Sequence, residues 1–218
     1  MNRLITFEGI DGCGKSTQIR LISERFQDLN LSPLTVRDPG TTRISEKIRS
    51  ILLDRENLDL APISEPLLFL AARAQMTHQL ILPNLNKGNF VLCDRYIDST
   101  LAYQGYGRNL DLVALRTLNY FATQGYIPEL TFLLDISPDI SHSRRQDVED
   151  DRMEAGGMQY LAQVRQGYIH IAREEPHRVQ VVAGERDPAV IADEIWQIIL
   201  DRYKDQLFGE SQKSAEAE

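Results

Sequence analysis

The most constraining feature of the sequence is a glycine-rich stretch near its start, Gly9-Ile10-Asp11-Gly12-Cys13-Gly14-Lys15-Ser16, which matches the pattern G-x-x-x-x-G-K-[ST]. The apolar residues 4–8 before it predict a short strand, and residues 17–29 after it carry apolar side chains at helical spacing. A strand, a glycine-rich loop and a helix in this order are the context that the pattern requires. A chance glycine-rich turn is the alternative, and the flanking elements disfavour it. The stretch therefore predicts an α/β fold that binds a nucleoside triphosphate.

The chemistry of this loop suits a polyphosphate. Glycines let backbone N–H groups converge on phosphate oxygens, and the following helix points the positive end of its dipole at them. We expect Lys15 to reach the β- and γ-phosphates and the Ser16 hydroxyl to bind Mg²⁺, which prefers oxygen ligands. The predicted ATP-binding residues of the loop are Gly9, Ile10, Asp11, Gly12, Cys13, Gly14, Lys15, Ser16 and Thr17.

Composition limits the class of protein. With 218 residues, of which 42% are hydrophobic, the chain most simply forms one α/β domain over residues 1–208. A net charge of −8 argues against a main partner that is nucleic acid, because phosphate backbones are bound by clustered Lys and Arg. Cys13 and Cys93 suggest neither a disulfide framework nor a metal site, and no apolar run approaches the ~20 residues that span a bilayer. We expect a cytoplasmic protein with no membrane partner.

Apolar segments alternate with helical patterns along the chain. Strands are predicted at residues 4–8, 34–36, 90–93, 130–134 and 179–182, and the longer helices at residues 17–29, 44–53, 63–85, 112–122, 158–173 and 189–200. This alternation predicts a central parallel sheet of about five strands flanked by helices. Ligands of such sheets gather at the carboxyl ends of strands, where Gly9, Asp38 and Asp94 lie. Residues 209–218 lack apolar anchors and are predicted to form a disordered tail.

Three further segments carry chemistry. Asp94-Arg95 follows a buried strand and joins a carboxylate suited to Mg²⁺ with a guanidinium that can grip a phosphate, although a simple strand-end ion pair is equally common. Phe69 and Arg73 share one face of a predicted helix, where a nucleobase could stack and form hydrogen bonds; an aromatic core residue is the ordinary alternative for Phe69. Residues 99–108 mix hydroxyls, aromatic rings and glycines, which suits the edge of a small polar ligand or an ordinary surface loop.

Together these motifs resemble those of the bacterial thymidylate kinase family. The similarity lies in residues 7–17, 37–40, 68–73, 93–96, 102–105 and 151–154, in the family's order, and runs from Met1 to about Leu207. It implies a three-layer P-loop NTPase fold and a homodimer. It also implies ATP-dependent phosphorylation of dTMP to dTDP by direct in-line transfer, in the route to dTTP, with Mg²⁺ as cofactor and ATP as co-substrate.

The resemblance implies how the base of dTMP is read. Phe69 would stack on thymine, Arg73 would bond to its exocyclic oxygen, and Thr100 and Gln104 would complete the contacts to the base edge. The dTMP-binding residues implied as a whole are Asp11, Asp38, Arg49, Phe69, Arg73, Arg95, Ser99, Thr100, Tyr103 and Gln104.

The sugar and phosphate contacts are implied in the same way. Arg95 would grip the acceptor phosphate, and Asp11 would lie near the 3′-hydroxyl. Tyr103 would crowd the 2′ position and so disfavour ribonucleotides. Ser16 and Asp94 would hold Mg²⁺.

The charged segment at about residues 144–157 corresponds to the lid of this family, whose arginines neutralise charge on the transferring phosphoryl group. Members that lack an arginine in the phosphate loop carry arginines in the lid, and Gly12 stands at the loop position concerned. The implied catalytic residues are Lys15, Arg95, Arg144, Arg145 and Arg152.

Two other functions remain open on the residues alone. Another small P-loop kinase, acting on a nucleoside or a different monophosphate, would share the loop, the metal and the lid. A nucleotide-switched binding protein of the GTPase kind is the rival from another class, but residues 86–89 lack the final Asp of the guanine-selecting N-K-x-D pattern. Arg186, in the loop before the last helix, is the predicted adenine contact because that loop lies beside the phosphate loop in such sheets.

Overall fold

The computed structural model describes residues 2–146, 152 and 156–215, with side chains described up to Phe208, and a five-stranded sheet lies at its centre. The strands are β1 (Leu4–Glu8), β2 (Leu34–Arg37), β3 (Val91–Asp94), β4 (Leu130–Asp135) and β5 (Val179–Ala183). They pair in the order β2-β3-β1-β4-β5, and every pair is parallel. The predicted parallel sheet of five strands is confirmed, and each strand end lies within one residue of its predicted position.

Helices connect the strands, and α1, α8 and α9 pack directly on the sheet. Two π-helical segments, Thr77–Ile81 and Leu101–Gly107, join α3 to α4 and extend α5. The α-helices are α1 (Lys15–Asp28), α2 (Arg43–Leu53), α3 (Ser64–Met76), α4 (Leu82–Asn86), α5 (Ile97–Thr100), α6 (Leu112–Ala122), α7 (Pro138–Ser143), α8 (Gly157–Glu174) and α9 (Pro188–Ala215).

Apolar side chains cover both faces of the sheet. All five residues of β1 are buried, and alternate positions point to opposite faces of a strand. Leu4 accordingly belongs to one apolar cluster, while Ile5 and Phe7 belong to the other. A strand buried on both faces is mostly apolar, which is why the sequence shows nearly continuous apolar runs. Within the described residues, no helix is both long and apolar enough to cross a membrane.

Side-chain caps fix where several helices begin. Thr42 accepts a hydrogen bond from the backbone N–H of Ser45 at the start of α2, and Asp111 caps α6 in the same way. Ser137 caps α7, whose first residue is Pro138. Such caps satisfy N–H groups that lack a partner within the helix, and proline is favoured in the first turn. The starts of α2 and α6 lie within one residue of their predicted positions.

The long helix predicted at residues 63–85 is interrupted by a π-helical segment. Helix α3 ends at Met76, and α4 begins at Leu82 after one wider turn, so that Pro83 lies in the first turn of a new helix. Proline is tolerated there because its missing N–H would have had no partner. The interruption begins at Thr77, several residues before the proline.

The surface-loop interpretation of residues 99–108 is wrong. This segment continues from α5 as a π-helix, and its residues 101–105 are buried. A Cβ placed on Gly107 would lie 2.6 Å from the ring of Tyr160 on α8, so the glycine permits close helix packing instead of flexibility. In this segment the glycine marks a close contact between two helices and does not mark a loop.

At the end of the chain, helix α9 extends to Ala215. The disordered tail expected at residues 209–218 stays a prediction. Tyr203 has non-helical dihedral angles within α9, and residues 216–218 lie outside the described part.

Candidate active site

The glycine-rich loop forms a cradle between β1 and α1. Gly9 has a φ of 133°, and a Cβ there would lie 2.5 Å from the carbonyl oxygen of Leu134. Gly14 has a φ of 98° and stands immediately before α1. Because glycine has no side chain, it does not cap the first N–H groups of this helix. Free N–H groups at a positive helix end are a binding site for anions.

Lys15 lies folded over this loop. Its Nζ donates to the carbonyl oxygens of Gly9 at 3.2 Å and Ile10 at 3.3 Å, and the residue is only 7% exposed. Carbonyl oxygens are neutral acceptors, and a charged phosphate forms stronger hydrogen bonds with an ammonium group. The lysine is therefore held at the loop by contacts that a phosphate oxygen can replace.

Ser16 and Asp94 meet at the carboxyl end of the sheet. The parallel register of β1 and β3 pairs Phe7 with Asp94, and the Ser16 hydroxyl donates to Oδ2 of Asp94 at 2.9 Å. A hydroxyl and a carboxylate are oxygen donors of the kind that Mg²⁺ prefers, and Mg²⁺ usually takes its other ligands from water and phosphate. The two residues predicted to hold Mg²⁺ thus fit that ion.

Arg95 is held by several neighbours at once. It has a left-handed backbone with a φ of 65°, and its Nη1 donates to the carbonyl oxygen of Gly9 at 2.9 Å and to Tyr168 Oη at 3.1 Å. Its Nη2 donates to Oδ1 of Asp11 at 2.7 Å and to Tyr103 Oη at 3.1 Å. The guanidinium is thereby fixed beside the glycine-rich loop.

The charge of Arg95 controls the ionisation of Asp11. Burial alone would raise the pKa of the Asp11 carboxyl, but the positive charges of Arg95 and Lys15 outweigh it and hold that pKa below its ordinary value. Burial alone would lower the pKa of Arg95, but the Asp11 carboxylate, together with Tyr103, Tyr168 and Asp94, outweighs burial and raises that pKa. Both groups are charged at neutral pH.

A pocket opens beside Arg95 and Asp11, and it encloses ≈ 520 Å³ including space open to solvent. All ten residues predicted to bind the acceptor line it, and we call it the acceptor pocket. Its lining residues are Asp11, Asp38, Pro39, Arg49, Leu53, Phe69, Arg73, Arg95, Ser99, Thr100, Tyr103 and Gln104.

Arg73 lies at the inner end of the acceptor pocket and is 1% exposed. Its Nε donates to Oδ2 of the buried Asp38, and its Nη1 donates to Oγ1 of Thr100 at 2.8 Å and to Oδ1 of Asn119. Burial raises the pKa of the Asp38 carboxyl, although the Arg73 charge opposes that shift. No acceptor among the described residues takes the two N–H groups of Nη2, so these remain for a ligand.

A second pocket lies over the glycine-rich loop, and we call it the phosphate pocket. It shares Asp11, Asp38, Arg49 and Arg95 with the acceptor pocket, so the two are contiguous. Two ligands can therefore meet at these shared residues. Its other lining residues are Gly12, Gly14, Lys15, Ser16, Thr17, Arg37, Asp94 and Arg144.

The three arginines of the predicted lid lie in different places. Arg144 lines the phosphate pocket and donates to the carbonyl oxygen of Gly12 at 3.2 Å. Arg145 packs its alkyl chain near Gly12. Arg152 lines neither pocket; it is 7% exposed, and its Nε donates to the carbonyl oxygen of Leu52 at 2.7 Å. Residues 147–151 and 153–155 of the predicted lid lie outside the described residues.

The predicted adenine contact is not oriented toward the phosphate pocket. Arg186 donates to the carbonyl oxygen of Ala183 at 3.2 Å and pairs with Glu194 of α9. The loop itself lies beside the glycine-rich loop as predicted, since Arg144 donates to the carbonyl oxygen of Gly184 at 3.1 Å. Arg186 is absent from the residues that line the phosphate pocket.

Two buried residues of the site were missed by the sequence prediction. Glu8 accepts from Ser99 Oγ at 2.6 Å and from Tyr168 Oη at 2.8 Å, and Tyr168 also contacts Arg95. Burial and the nearby Asp98 charge raise the pKa of Glu8 despite the opposing charge of Arg95. A charged residue at the end of an otherwise apolar strand was the signal for Glu8. Tyr168 lies on a helix whose apolar spacing gave no such signal.

Comparison with known proteins gives one consistent result. The family model described as thymidylate kinase matches residues 7–195. A thymidylate kinase of Caldanaerobacter subterraneus is 43% identical over 85% of this chain and 88% of its own length, and one of Prosthecochloris aestuarii is 44% identical over 91% and 93%. The solved structure of a thymidylate kinase from Ehrlichia chaffeensis has a TM-score of 0.75 and 32% identity, and the match covers 90% of this chain and 97% of that one.

Proposed function

This chain belongs to the thymidylate kinase family and phosphorylates dTMP, and from that premise we propose that it transfers the γ-phosphoryl group of ATP directly to dTMP in the two contiguous pockets. The observation that carries this proposal is the sharing of Asp11, Asp38, Arg49 and Arg95 between the acceptor and phosphate pockets. A donor bound over the glycine-rich loop and an acceptor bound beside Phe69 would meet at these residues.

The chemical step needs positioning and charge neutralisation. A phosphate oxygen of dTMP attacks the γ-phosphorus, and the bond from that phosphorus to the bridging oxygen of ADP breaks. A dianionic phosphate is a competent nucleophile, so the step requires neither a general base nor a covalent enzyme intermediate. Arg95 orients the acceptor phosphate, while Lys15 and Arg144 neutralise charge over the loop.

Ser16 and Asp94 are the residues that would hold Mg²⁺. When bound, this ion neutralises phosphate charge and orients the donor. The support for this assignment is the hydroxyl–carboxylate pair itself, whose oxygens lie 2.9 Å apart at the start of α1.

The acceptor pocket offers recognition of each part of dTMP. Phe69 presents its ring for stacking on thymine, and Nη2 of Arg73 is available to donate to the exocyclic O4. Tyr103 and Asp11 lie next to each other, with the Tyr103 hydroxyl donating to Oδ2 of Asp11 at 3.2 Å, and we assign them to the sugar. With this assignment we expect a preference for deoxyribose, because the Tyr103 ring would crowd the 2′ position.

The assay that tests this function is ADP formation with ATP, Mg²⁺ and a panel of acceptors: dTMP, dUMP, UMP, dCMP, AMP and thymidine. We expect a strong preference for dTMP. Preference for thymidine or another monophosphate would favour a different P-loop kinase, and hydrolysis that needs no acceptor would favour a nucleotide switch. The comparisons favour neither rival.

Lys15→Ala is the variant that tests the donor side. Removing the ammonium group from the phosphate pocket should lower kcat about 100-fold or more, the size of effect seen when a charge-stabilising group is lost. Lys87→Ala, on the exposed end of α4, is the matched control and should leave kcat unchanged. Normal turnover by the Lys15 variant would contradict the proposed donor site.

We further propose that the protein is a cytoplasmic homodimer. Large apolar side chains are exposed on α6, where Val113 is 74%, Tyr120 63% and Phe121 83% exposed, and α6 packs beside α3. Such side chains are typical of an interface. Light scattering should give twice the chain mass of 24.9 kDa, and Phe121→Asp should give the monomer. A monomeric parent protein would contradict the proposal.

A further inference from the structure

Two buried side chains outside the acceptor pocket contact its base-reading residues. Asn119 of α6 contacts Arg73, and Glu65 of α3 contacts Gln104. Glu65 and Asn119 are each 3% exposed and are absent from the residues that line the acceptor pocket. Each can therefore influence a bound base only through the pocket residue that it contacts.

Glu65 determines which way the Gln104 amide is turned. Gln104 Nε2 donates to Oε1 of Glu65 at 2.9 Å, and the other carboxylate oxygen pairs with Arg152 Nη1 at 2.8 Å. A carboxylate between such donors only accepts, so the NH₂ group of Gln104 must face it. The Gln104 carbonyl oxygen is thereby left for the pocket, where it can only accept a hydrogen bond.

Asn119 orients Arg73 so that this side chain offers the pocket a donor, whereas Gln104 offers an acceptor. Asn119 Nδ2 donates to the carbonyl oxygen of Ile97 at 3.1 Å, which requires its Oδ1 to face Arg73 Nη1. Together with Asp38 at Nε, this contact holds the guanidinium so that Nη2 faces the pocket as a donor. An arginine cannot become an acceptor.

We propose that Glu65 and Asn119 are positioning residues that fix the hydrogen-bonding polarity of the acceptor pocket, with a donor at Arg73 and an acceptor at Gln104. This inference rests on the proposed function. Thymine matches that polarity, because O4 accepts and N3–H donates. Cytosine presents the reverse, since its 4-amino group donates and its N3 accepts. When the wrong base binds, buried polar groups of the site are left without hydrogen-bond partners, and this weakens binding. The site rejects a base such as cytosine in this way.

The test compares kcat/KM for dTMP, dUMP and dCMP in the parent protein and in Glu65→Gln. A glutamine at residue 65 can donate as well as accept, so Gln104 can turn and meet cytosine. We expect the dTMP to dCMP ratio to fall about tenfold or more. The dTMP to dUMP ratio should stay unchanged, because uracil has the same polarity and differs only by the methyl group.

Glu129→Gln is the matched control, since Glu129 pairs with Arg202 at 3.5 Å and lies outside both pockets. This variant should have the same dTMP to dCMP and dTMP to dUMP ratios of kcat/KM as the parent protein. A Glu65 variant that keeps the parent dTMP to dCMP ratio would overturn the inference. An equal loss of kcat/KM for all three acceptors would also overturn it, because that is the result of a merely structural role.

Asn119→Leu is the second variant and decides the matter if Glu65→Gln does not fold. It removes the acceptor from Arg73, and we expect KM for dTMP to rise about tenfold while kcat changes less than threefold. An unchanged KM would overturn the role of Asn119. Failure of the proposed function is distinguishable, because a parent protein that does not use dTMP would reveal it before any variant is measured.

Discussion

Arg95 donates to the Asp11 carboxylate at 2.7 Å, and this ion pair lies where the acceptor and phosphate pockets join. Arg95 is reached from β3 and Asp11 from the loop after β1, so the pair connects two neighbouring strand ends. The left-handed backbone at Arg95, with a φ of 65°, turns the side chain toward the loop. The geometry makes Arg95 the first residue to test at the acceptor phosphate.

Replacing Arg95 with alanine should weaken the use of dTMP. Charged hydrogen bonds contribute about 1.5–3 kcal/mol each, so we expect kcat/KM for dTMP to fall about 10- to 150-fold for the loss of one such contact. Arg95→Lys keeps the charge but loses the planar fork and should give an intermediate loss. Steady-state kinetics with varied dTMP measure this. An Arg95→Ala protein with an unchanged KM for dTMP would contradict the assignment.

The Asp11 carboxylate should make stability depend on pH. Its pKa is lowered in the folded protein by Arg95 and Lys15 in spite of burial, so its contribution is complete above the unfolded pKa of about 4 and is lost as pH falls toward the folded value. Asp11→Asn removes that contribution.

Urea unfolding of the parent protein and Asp11→Asn between pH 7 and pH 3 measures this effect. The difference in unfolding free energy should be constant above about pH 5 and should shrink below about pH 4. Glu8, whose pKa is raised mainly by burial, is present in both proteins, so the comparison isolates the substitution at residue 11. Asp28→Asn, at an exposed position, is the control. A difference that grows as the pH falls would contradict the direction of the Asp11 shift.

The sequence predicted the elements of the fold chiefly because the three central strands, β1, β3 and β4, are buried on both faces. A segment such as Leu130–Asp135 must be almost wholly apolar, and helix Leu112–Ala122 was predicted at its exact bounds because its apolar spacing is clear. Residues 99–108 were harder to predict, because their glycines suggest a loop. Only the packing of Gly107 against Tyr160 reveals a helix interface, and that contact joins distant parts of the chain.

The same distinction holds for the site. Residues that line the pockets lie within short local motifs, so resemblance to a family could identify them, and the structure brings all ten acceptor residues together. Their partners are distant in sequence: Asn119 lies 46 residues from Arg73, and Tyr168 lies 73 residues from Arg95. No local pattern contains these pairs, because they arise only when α6 packs beside α3 and α8 packs on the sheet.

The Tyr103 ring should determine the choice of sugar. It is 6% exposed, and its edge-to-face contacts with Tyr160 and Tyr168, each with 6.3 Å between ring centroids, hold it in place. Tyr103→Ala should raise the use of ribothymidine monophosphate relative to dTMP about tenfold. Tyr103→Phe keeps the ring and should keep the preference for deoxyribose. Comparison of kcat/KM for the two acceptors tests this, and equal ratios in the alanine and phenylalanine variants would contradict it.

Arg144 and Arg152 should affect different kinetic parameters, although both belong to the segment predicted as a lid. Arg144 lines the phosphate pocket, so Arg144→Ala should lower kcat about tenfold or more and leave KM for dTMP nearly unchanged. Arg152 pairs with Glu65 at 2.8 Å, and that carboxylate orients Gln104 at the acceptor pocket. Arg152→Ala should therefore raise KM for dTMP more than it lowers kcat.

The Arg152 variant should also be less stable, because it leaves the buried Glu65 carboxylate without its closest charged partner, which lies 2.8 Å away. Breaking a buried ion pair on one side costs about 3–5 kcal/mol, so thermal unfolding must be measured beside the kinetics and assays run well below the midpoint. Glu65→Gln combined with Arg152→Ala should recover part of that stability, since no buried charge then remains unpaired. If Arg152→Ala instead lowered kcat more than Arg144→Ala and left KM for dTMP unchanged, Arg152 would act on the transferring phosphoryl group, and its pairing with Glu65 would belong only to the resting enzyme.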